Sequence, residues 1–423
     1  MLAAQPLDRK GLGENLRTCR ETAGLSRPAL ARRAGLAPET IKYIEAGAVQ
    51  ATTRTLLALV EVPELRFDPR RFGVELPTND NDGPNCWLAP GYDPLAQLAQ
   101  LKRILAARGG FLDQALLYLD HQSAADWCAI ANQVDYAQVV RSSFPGKRAA
   151  EALVKSAGDR GMDLLALGCG NAQVEVSLTQ QLLAQRSRLR LQQDVHLYLL
   201  DISQPLVSAA FKHASEALGA TKDFTAYAIH GDFYELPQYM QQLSLFQRVH
   251  RTRAVWLLGG IFGNLENEVL FVRNSLVGFM PGDLLLLDIS HAHGSTAEEI
   301  ESRDPRLNGG LPEGWRQRYD EFLAGPFRRY LPDLREVVLE PRLDMSCCPV
   351  AGSYAVEIMA RARMRDGTEK QFSAFRVKRH DPPQLLTTMQ ELGWRPVAGW
   401  PYKESAGQPS MRSVFLFQRS EDI

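Results

Sequence analysis

Five short apolar runs lie between residues 161 and 290, and each is apolar on both of its alternating faces. They are "DLLALG" (163–168), "VHLYLLD" (195–201), "FTAYAIHGD" (224–232), "RAVWLLGG" (253–260) and "DLLLLDIS" (283–290). Strands of a parallel sheet that is covered on both faces have this pattern. Segments with helical spacing separate the runs. The pattern therefore predicts an α/β fold with a doubly wound, Rossmann-like parallel sheet, whose ligand binds at the carboxyl ends of the strands.

The pattern changes after residue 350, where three runs alternate strictly between apolar and polar positions. These runs cover 353–364, 370–380 and 412–420. Alternation is typical of strands with one buried face, so we expect the parallel sheet to finish in antiparallel strands. The segment 291–340 has no clear strand pattern. We expect it to form a lid over a substrate, lined by Trp315, Tyr319 or Phe322.

The amino-terminal pattern is purely helical. Residues 10–62 contain four short segments with helical spacing, separated by helix-stop signals. Ser26 is suited to cap the second helix and Gly35 to end it. We expect the side chains of Ile41 and Ile44, on the third helix, to point into the core of the bundle. So many short helices in so few residues predict a helix-turn-helix bundle.

Composition shifts divide the chain into four parts. Residues 1–76 hold the helix-turn-helix domain, and the stretch 77–94, rich in Pro, Gly, Asn and Asp, is predicted to be a linker. Residues 95–160 form a helical region on the substrate side, and 161–423 form the Rossmann-like domain.

Charge and cysteine content restrict the possible partners. The net charge of −1 gives no global attraction to nucleic acid, so DNA contact needs a local patch. Such a patch is available between residues 10 and 60, which contain eight Lys/Arg and four Asp/Glu.

The six cysteines form no C-x-x-C pair, so we expect reduced thiols in a cytoplasmic protein and no metal site. No apolar run approaches the roughly 18 residues of a membrane span.

The first 60 residues resemble the repressor-type helix-turn-helix family. The positions that match are Leu16, Arg17, Arg20, Gly24, Leu25, Ser26, Leu30, Ala31, Gly35, Thr40, Ile41, Ile44, Glu45 and Gly47. The resemblance implies DNA binding through residues 10–62, with Glu39, Lys42 and Tyr43 on the recognition helix; Arg27 stands where the family often has glutamine. A domain that only mediates dimers is the alternative, and we expect a homodimer in either case.

The first predicted strand runs into "LGCGNA", in which Gly168 and Gly170 form a tight turn. This pattern alone also fits an ordinary strand–helix turn. Asp201 ends the second strand, where a carboxylate can accept both hydroxyls of a ribose. Asp232 and Phe233 follow the third strand and are suited to bind an adenine. No G-x-x-x-x-G-K-[ST] loop is present, which argues against nucleotide hydrolysis.

These features resemble S-adenosylmethionine-dependent methyltransferases. "LLDISQPLV", "GDFYEL", "LLGGIFGNLENEV" and "PGDLLLLDIS" resemble blocks of the histidine-specific methyltransferase family, over roughly 125–423. That family methylates the α-amino group of histidine on the way to ergothioneine. The resemblance implies S-adenosylmethionine as cofactor. The expected cofactor-binding residues are Gly168, Gly170, Asp201, Ile202, Asp232, Phe233 and Gly259.

The resemblance also implies a substrate site. Asn264 matches an asparagine that holds the amino-acid head of the substrate, and Tyr136 matches one of two tyrosines. Ser373 is retained, but Gln371 replaces the carboxylate that grips the imidazole. We therefore expect an amino-acid-like or amine substrate, in secondary metabolism, rather than histidine itself. The expected catalytic residues are Asn264, Tyr136 and His291, the last two as candidate bases.

Three functions are compatible with this sequence. The first is a methyltransferase that N-methylates a small molecule and carries a helix-turn-helix domain. The second is a transcriptional regulator in which a methyltransferase-like domain senses S-adenosylmethionine or a metabolite. The third transfers or cyclises the aminocarboxypropyl group of the same cofactor.

Overall fold

The computed structural model describes most of the chain. The described residues are 9–49, 51, 53–60, 62–65, 67, 85–133, 143–191, 193–242, 251–402 and 411–421. They fall into two compact units. The first lies within Met1–Pro84 and Tyr239–Arg251, and the second within Asn85–Gln238 and Thr252–Ile423.

The first unit contains the predicted helices. They are α1 (Arg9–Thr22), α2 (Arg27–Ala34), α3 (Pro38–Glu45) and α4 (Thr53–Val60). The Ser26 hydroxyl accepts a hydrogen bond from the amide of Ala29, and Gly35 ends α2 at φ +63°. Ile41 and Ile44 are buried in the core of the bundle. The predicted caps and inward positions are confirmed.

From residue 85 onward the chain alternates strands and helices. The strands are β1 (Cys86–Leu88), β2 (Gly109–Phe111), β3 (Gly161–Leu167), β4 (Val195–Asp201), β5 (Phe224–His230), β6 (Arg251–Leu257), β7 (Leu284–Ser290), β8 (Leu334–Asp344), β9 (Tyr354–Met364), β10 (Glu369–Arg379), β11 (Trp394–Pro401) and β12 (Arg412–Arg419). The helices are α5 (Pro94–Ala106), α6 (His121–Ala131), α7 (Gly146–Ala157), α8 (Gln173–Arg188), α9 (Gln204–Leu218), α10 (Leu236–Gln242), α11 (Ile261–Asn264), α12 (Glu268–Ser275), α13 (Ala297–Arg303), α14 (Glu313–Tyr330) and α15 (Pro382–Glu391). Short 3₁₀ turns cover Gln114–Tyr118 and Phe233–Glu235.

The larger sheet has the strand order β1-β5-β4-β3-β6-β7-β12-β11. The pairs β3–β4, β4–β5 and β6–β7 are parallel, whereas β12 is antiparallel to β7 and to β11. β3, β4 and most of β7 are fully buried, as their apolar runs require. The predicted Rossmann-like parallel sheet with an antiparallel finish is confirmed.

A second sheet, in the order β2-β10-β9-β8, corrects part of that prediction. β9 and β10 come from two of the three alternating runs, and we expected both in the main sheet. Their buried faces instead pack against a separate core, which includes Val356 and Phe372 on the strands and Phe327 on α14. Alternation marks a strand with one buried face, and either sheet satisfies that condition.

The predicted lid segment is helical and packs against the second sheet. It contains α13 and α14, and Tyr319 and Phe322 are buried in the core of that sheet, with Trp315 packed beside them. These three aromatic side chains do not line the cleft described below. A closing motion of 291–340 stays a prediction.

The predicted linker is partly structured. Residues 77–84 lie outside the described residues, but β1 pairs in parallel with β5 and forms the edge of the sheet. Trp87 stacks on Tyr227 with ring centroids 5.1 Å apart. The Tyr92 hydroxyl donates to the carbonyl oxygen of Ile202 at 3.1 Å. These apolar and aromatic contacts explain why this stretch joins the sheet despite its turn-rich composition. Among the described residues, no helix is long and apolar enough to cross a bilayer.

Candidate active site

A cleft of about 640 Å³, partly open to solvent, lies at the carboxyl ends of β3, β4, β5 and β6. The chain proceeds from β3 to β4 on one side, while β6 lies on the other side of β3. The cleft therefore occupies the topological switch point, where sheets of this class bind ligands. Its location agrees with the prediction from the five apolar runs.

One side, the sheet wall, consists of Gly168, Gly170, Asp201 and Phe233. Gly168 and Gly170 have φ of +61° and +54°, which suits glycine. A Cβ on Gly168 would lie 3.1 Å from Ile261 Cδ1 and 3.4 Å from Phe233 Cε1. The floor of the cleft is open because this residue has no side chain.

Asp201 is held in place by backbone donors. Its Oδ2 accepts the amide of Gly170 at 2.8 Å, and its Oδ1 accepts that of Ser203 at 2.9 Å. The backbone amide of Ile202 also acts on this carboxylate. Since two carboxylate oxygens offer about four acceptor positions, acceptor capacity remains toward the cleft. Burial raises the pKa of Asp201 to about 6, although these hydrogen bonds oppose the increase.

Asp232 and Phe233 lie together at the end of β5, as predicted. Asp232 caps the 3₁₀ turn, since its Oδ1 accepts the amide of Tyr234 at 3.0 Å. Burial raises its pKa to about 6. Phe233 lines the cleft and packs edge-on against Phe271, with centroids 5.7 Å apart. Ile202 also lines the cleft, whereas Gly259, at φ +71°, lies in the strand exit outside the lining.

The opposite side, the cap wall, consists of Asp113, Gln114, Tyr118 and Trp127. It is built on the turn after β2 and on α6. The two walls meet at Gly170, where a Cβ would lie 3.3 Å from Trp127 Nε1. Sequence reasoning missed this wall. The available signal was Asp113, a residue type that often caps a helix, which stands two residues after "GGF" and is followed by Gln114.

Gln114 and Asp113 each hold an oxygen that the protein does not fully use. Gln114 Nε2 donates to the carbonyl oxygen of Arg376 at 2.7 Å, and its Oε1 is buried without a hydrogen-bond partner in the described structure. An unpaired buried acceptor costs about 1–3 kcal/mol. Asp113 Oδ1 accepts the amide of Ala115 at 2.9 Å, and burial raises the pKa of Asp113.

Asn264 ends α11 and lines the cleft. The loop that follows is held by Lys378, whose Nζ donates to the carbonyl oxygens of Leu265 (2.7 Å) and Glu266 (2.9 Å). Lys378 also pairs with the carboxylate of Glu268, and both side chains are fully buried. Breaking such a pair typically costs about 3–5 kcal/mol. The second sheet therefore fixes the position of Asn264.

His291, one of the two predicted bases, does not lie in the cleft lining. His291 Nε2 is 3.0 Å from Ser413 Oγ, and its amide donates to the carbonyl oxygen of Met411. It belongs to the junction of β7 and β12, because its backbone continues the strand pairing. Burial lowers its pKa. Tyr136 lies outside the described residues.

The predicted substrate residues on β10 also lie outside the lining. The Ser373 hydroxyl donates to Glu357 Oε1 at 2.5 Å, inside the second sheet. Glu357 accepts a further hydrogen bond from Arg376 at 2.8 Å, so it already neutralises a charge there. Gln371 is exposed at the end of the same strand. The pairing of β10 with β2 explains these positions.

In the first unit, Glu45 is buried and accepts hydrogen bonds from basic side chains. Arg20 Nε and Arg27 Nε donate to its carboxylate at 2.5 and 2.7 Å. Part of the positive charge predicted for the DNA-facing patch is therefore compensated internally. Lys42 and Tyr43 are exposed on α3.

Comparisons with known proteins address the two units separately. Residues 12–70 match the family model described as Helix-turn-helix domain. A restriction-modification controller protein from Aeromonas hydrophila is 29% identical, over 15% of this chain and 96% of that chain, with a TM-score of 0.14. A search of curated proteins found no significant match.

Two methyltransferase structures are similar to a larger part of the chain. An S-adenosylmethionine-dependent methyltransferase from Clostridium acetobutylicum is 12% identical, over 70% of this chain and 99% of that chain, with a TM-score of 0.35. Magnesium protoporphyrin IX methyltransferase from Synechocystis, with bound SAH, is 12% identical, over 73% and 100%, with a TM-score of 0.38. Since both scores are low, the Rossmann-like class of the second unit rests on its own strand order and register.

Proposed function

We propose that the second unit is an S-adenosylmethionine-dependent methyltransferase that N-methylates a small amine or amino-acid-like molecule. One observation carries the proposal: the glycine turn, Asp201, Phe233 and Asn264 all converge on one cleft at the switch point of the sheet. The first three are suited to a purine nucleoside, and Asn264 lies where the resemblance expects the substrate. The sequence blocks around Asp201 and Asn264 support the same activity.

The residues of the sheet wall fit the nucleoside part of this cofactor. Gly168 leaves room for a planar ring between Ile261 and Phe233, where a Cβ would intrude. Asp201 retains acceptor capacity toward the cleft, which suits ribose hydroxyls. The Gly170 amide is already used by Asp201 and serves to orient it. An adenine contact from Asp232 stays a prediction.

When bound, S-adenosylmethionine supplies a methyl group on a sulfonium. The task of the protein is then to hold an amine nitrogen close to that methyl group and to exclude water. Correct placement of two reactants is worth about 7–11 kcal/mol. Asn264, fixed through Lys378, and the aromatic side chains of the cap wall are the residues suited to this task. Tyr136 stays a candidate base.

Two measurements test the proposal. Calorimetric titration of the full chain with S-adenosylhomocysteine is expected to show one site per chain. Incubation of a cell extract with methyl-labelled S-adenosylmethionine is expected to give a labelled small amine by mass spectrometry. Absence of binding contradicts the proposal. A second incubation, with cofactor labelled in the aminocarboxypropyl chain, would favour the alternative chemistry if it gave a labelled product where the methyl-labelled cofactor gave none.

A second candidate function concerns the first unit. The match of residues 12–70 to a helix-turn-helix family model and the exposed Lys42 and Tyr43 on α3 support DNA binding. Selection from a pool of random duplexes tests it. Specific DNA binding that responds to S-adenosylhomocysteine, with no labelled product from any extract, would favour the regulator over the enzyme. The expected homodimer is checked by light scattering.

A further inference from the structure

We infer that the methyl acceptor is a cationic amine that carries no carboxylate, and that Asp113 and Gln114 on the cap wall bind its N–H groups. The inference rests on the proposed function, because it names the substrate class of the same cleft. It concerns residues that the sequence resemblance does not assign.

Gln114 is the first element of the argument. Its side chain is 7% exposed, and the hydrogen bond from Nε2 to the carbonyl of Arg376 fixes which end of the amide is the acceptor. Oε1 is then a buried acceptor at the cleft that has no partner among the described residues. Only a hydrogen-bond donor satisfies it, so the ligand presents an N–H or O–H at this point.

Asp113 is the adjacent residue and adds a negative charge. Oδ1 is used by the amide of Ala115, and within the described part of the chain no ion pair involves this carboxylate. Burial is the main reason that the pKa of Asp113 and the pKa of Asp232 are raised, and the charge of Glu266 on Asp113 and that of Asp113 on Asp232 add to the increase. A carboxylate among other carboxylates favours a cationic ligand. A protonated amine supplies both this charge and the donor that Gln114 requires. For methyl transfer its proton passes to the Asp113 carboxylate, the freed nitrogen lone pair forms the N–CH3 bond, and the S–CH3 bond breaks to leave S-adenosylhomocysteine.

The rest of the cleft agrees with a cation. The described lining residues include no lysine, arginine or histidine. Tyr118, Trp127, Phe233 and Tyr234 surround the space with aromatic rings, which attract cations. A substrate carboxylate at the cap wall would instead face Asp113, with no positive partner among the described lining residues. The described lining therefore disfavours a free amino acid and favours the corresponding amine.

Matched pairs of compounds test this discrimination. The full chain is assayed with S-adenosylmethionine and tyramine or tyrosine, histamine or histidine, and tryptamine or tryptophan. Each pair differs only by the carboxylate. We expect at least one amine to be methylated, with kcat/KM at least tenfold above that of its amino acid. Tyrosine, histidine or tryptophan as the better member of its pair would overturn the inference.

Variants connect the preference to the two residues. Asp113→Asn is expected to lower kcat/KM for the amine at least 50-fold and Gln114→Met at least tenfold, while S-adenosylhomocysteine affinity stays within twofold. Asp159→Asn, an exposed residue before β3 at the opposite end of the sheet, is the control and should change neither quantity. Retained cofactor affinity also reports that each variant is folded.

The failures are distinguishable. If the wild-type chain does not bind S-adenosylhomocysteine, the proposed function fails first. If it binds but methylates none of the three amines, or if both cap-wall variants keep full kcat/KM, the substrate inference is wrong while the cofactor site stands.

Discussion

The sheet wall and the cap wall of the cleft use different parts of the polypeptide. The sheet wall relies on backbone: two glycines at positive φ and one carboxylate that is itself held by backbone amides. The cap wall relies on side chains, with Gln114 anchored to the carbonyl of Arg376 on β10. The glycines of the sheet wall tolerate few substitutions, because other residues rarely adopt their backbone conformation. On the cap wall, by contrast, each side chain can be replaced without a change in the backbone.

The difference assigns separate roles to the two sheets. The Rossmann-like sheet supplies a site whose shape is set by strand ends and turns, which suits a ligand of constant structure. We propose that Asp113 and Gln114, which follow β2 of the second sheet, discriminate between acceptors. The same sheet contacts the Asn264 loop through Lys378. Changes to the sheet wall should therefore affect cofactor affinity, and changes to the cap wall should affect kcat/KM for the acceptor.

The largest expected effect comes from Asp201→Ala. Two hydrogen bonds to a charged acceptor are worth about 3–6 kcal/mol, so S-adenosylhomocysteine affinity should fall roughly 100-fold or more. The structure adds a cost to folding, because the amides of Gly170 and Ser203 lose their acceptor. Calorimetric titration measures the affinity, and a thermal melt measures the folding cost.

A matched control separates the two effects of that change. Asp283 is also buried and also accepts two backbone amides, from Met280 (2.7 Å) and Arg253 (3.2 Å), but it precedes β7 at the other end of the sheet. Asp283→Ala should lower the melting temperature and leave the affinity unchanged. Equal affinity losses in both variants would contradict the ribose assignment.

The next effect in size is expected for Gly168→Ala. The added methyl group would lie 3.1 Å from Ile261 Cδ1 and occupy the space above Gly168 in the cleft. Overpacking costs about 1–3 kcal/mol, which corresponds to roughly 5- to 150-fold in affinity for S-adenosylhomocysteine. Gly309→Ala has the same backbone problem, at φ +75°, but its methyl group meets nothing within 4 Å. Titration of both variants separates the effect of the methyl group in the cleft from the effect of backbone strain. Similar affinities in the two variants would refute the proposed role of Gly168.

The two walls also differ in how well the sequence predicted them. The sheet wall follows from local pattern, because a buried apolar run marks its own carboxyl end, and Gly168 and Asp201 stand there. The cap wall depends on the pairing of Gly109 with Gln371, residues far apart in the chain. Local periodicity contains no information on such a pairing. Ser373 was expected in the substrate site from the family resemblance, whereas in the structure its hydroxyl donates to Glu357.

A smaller, pH-dependent effect is expected at the sheet wall. The proposed ribose contact uses ionised Asp201, whose pKa is raised to about 6 by burial. Affinity for S-adenosylhomocysteine should therefore fall about tenfold between pH 7 and pH 5. Stability should respond with the opposite sign. A carboxyl with a raised pKa in the folded state stabilises the free chain below its unfolded pKa of about 4 and loses that contribution as the pH rises through 6.

Titrations at pH 5, 6, 7 and 8 measure this profile. Asp232 also has a pKa raised to about 6, so Asp232→Asn serves as the control. The variant should keep the midpoint of the profile if Asp201 is the titrating group. A flat profile in the wild-type chain would show that ionisation of Asp201 does not control binding. A midpoint that disappears in Asp232→Asn would show that Asp232 is the titrating group.

The smallest effect tests whether charge changes in the first unit leave both walls untouched. Lys42 is exposed on α3, and its replacement by alanine removes one candidate phosphate contact. Binding to a random duplex pool should weaken for all sequences alike, and the slope of log affinity against log salt should decrease by about one. Cofactor affinity and kcat/KM should stay within twofold.

The control is Lys155→Ala, at an exposed position on α7, which should change neither DNA binding nor turnover. A loss of turnover in Lys42→Ala would show that the first unit acts on the cleft, and the division of labour between the two walls would then have to include it.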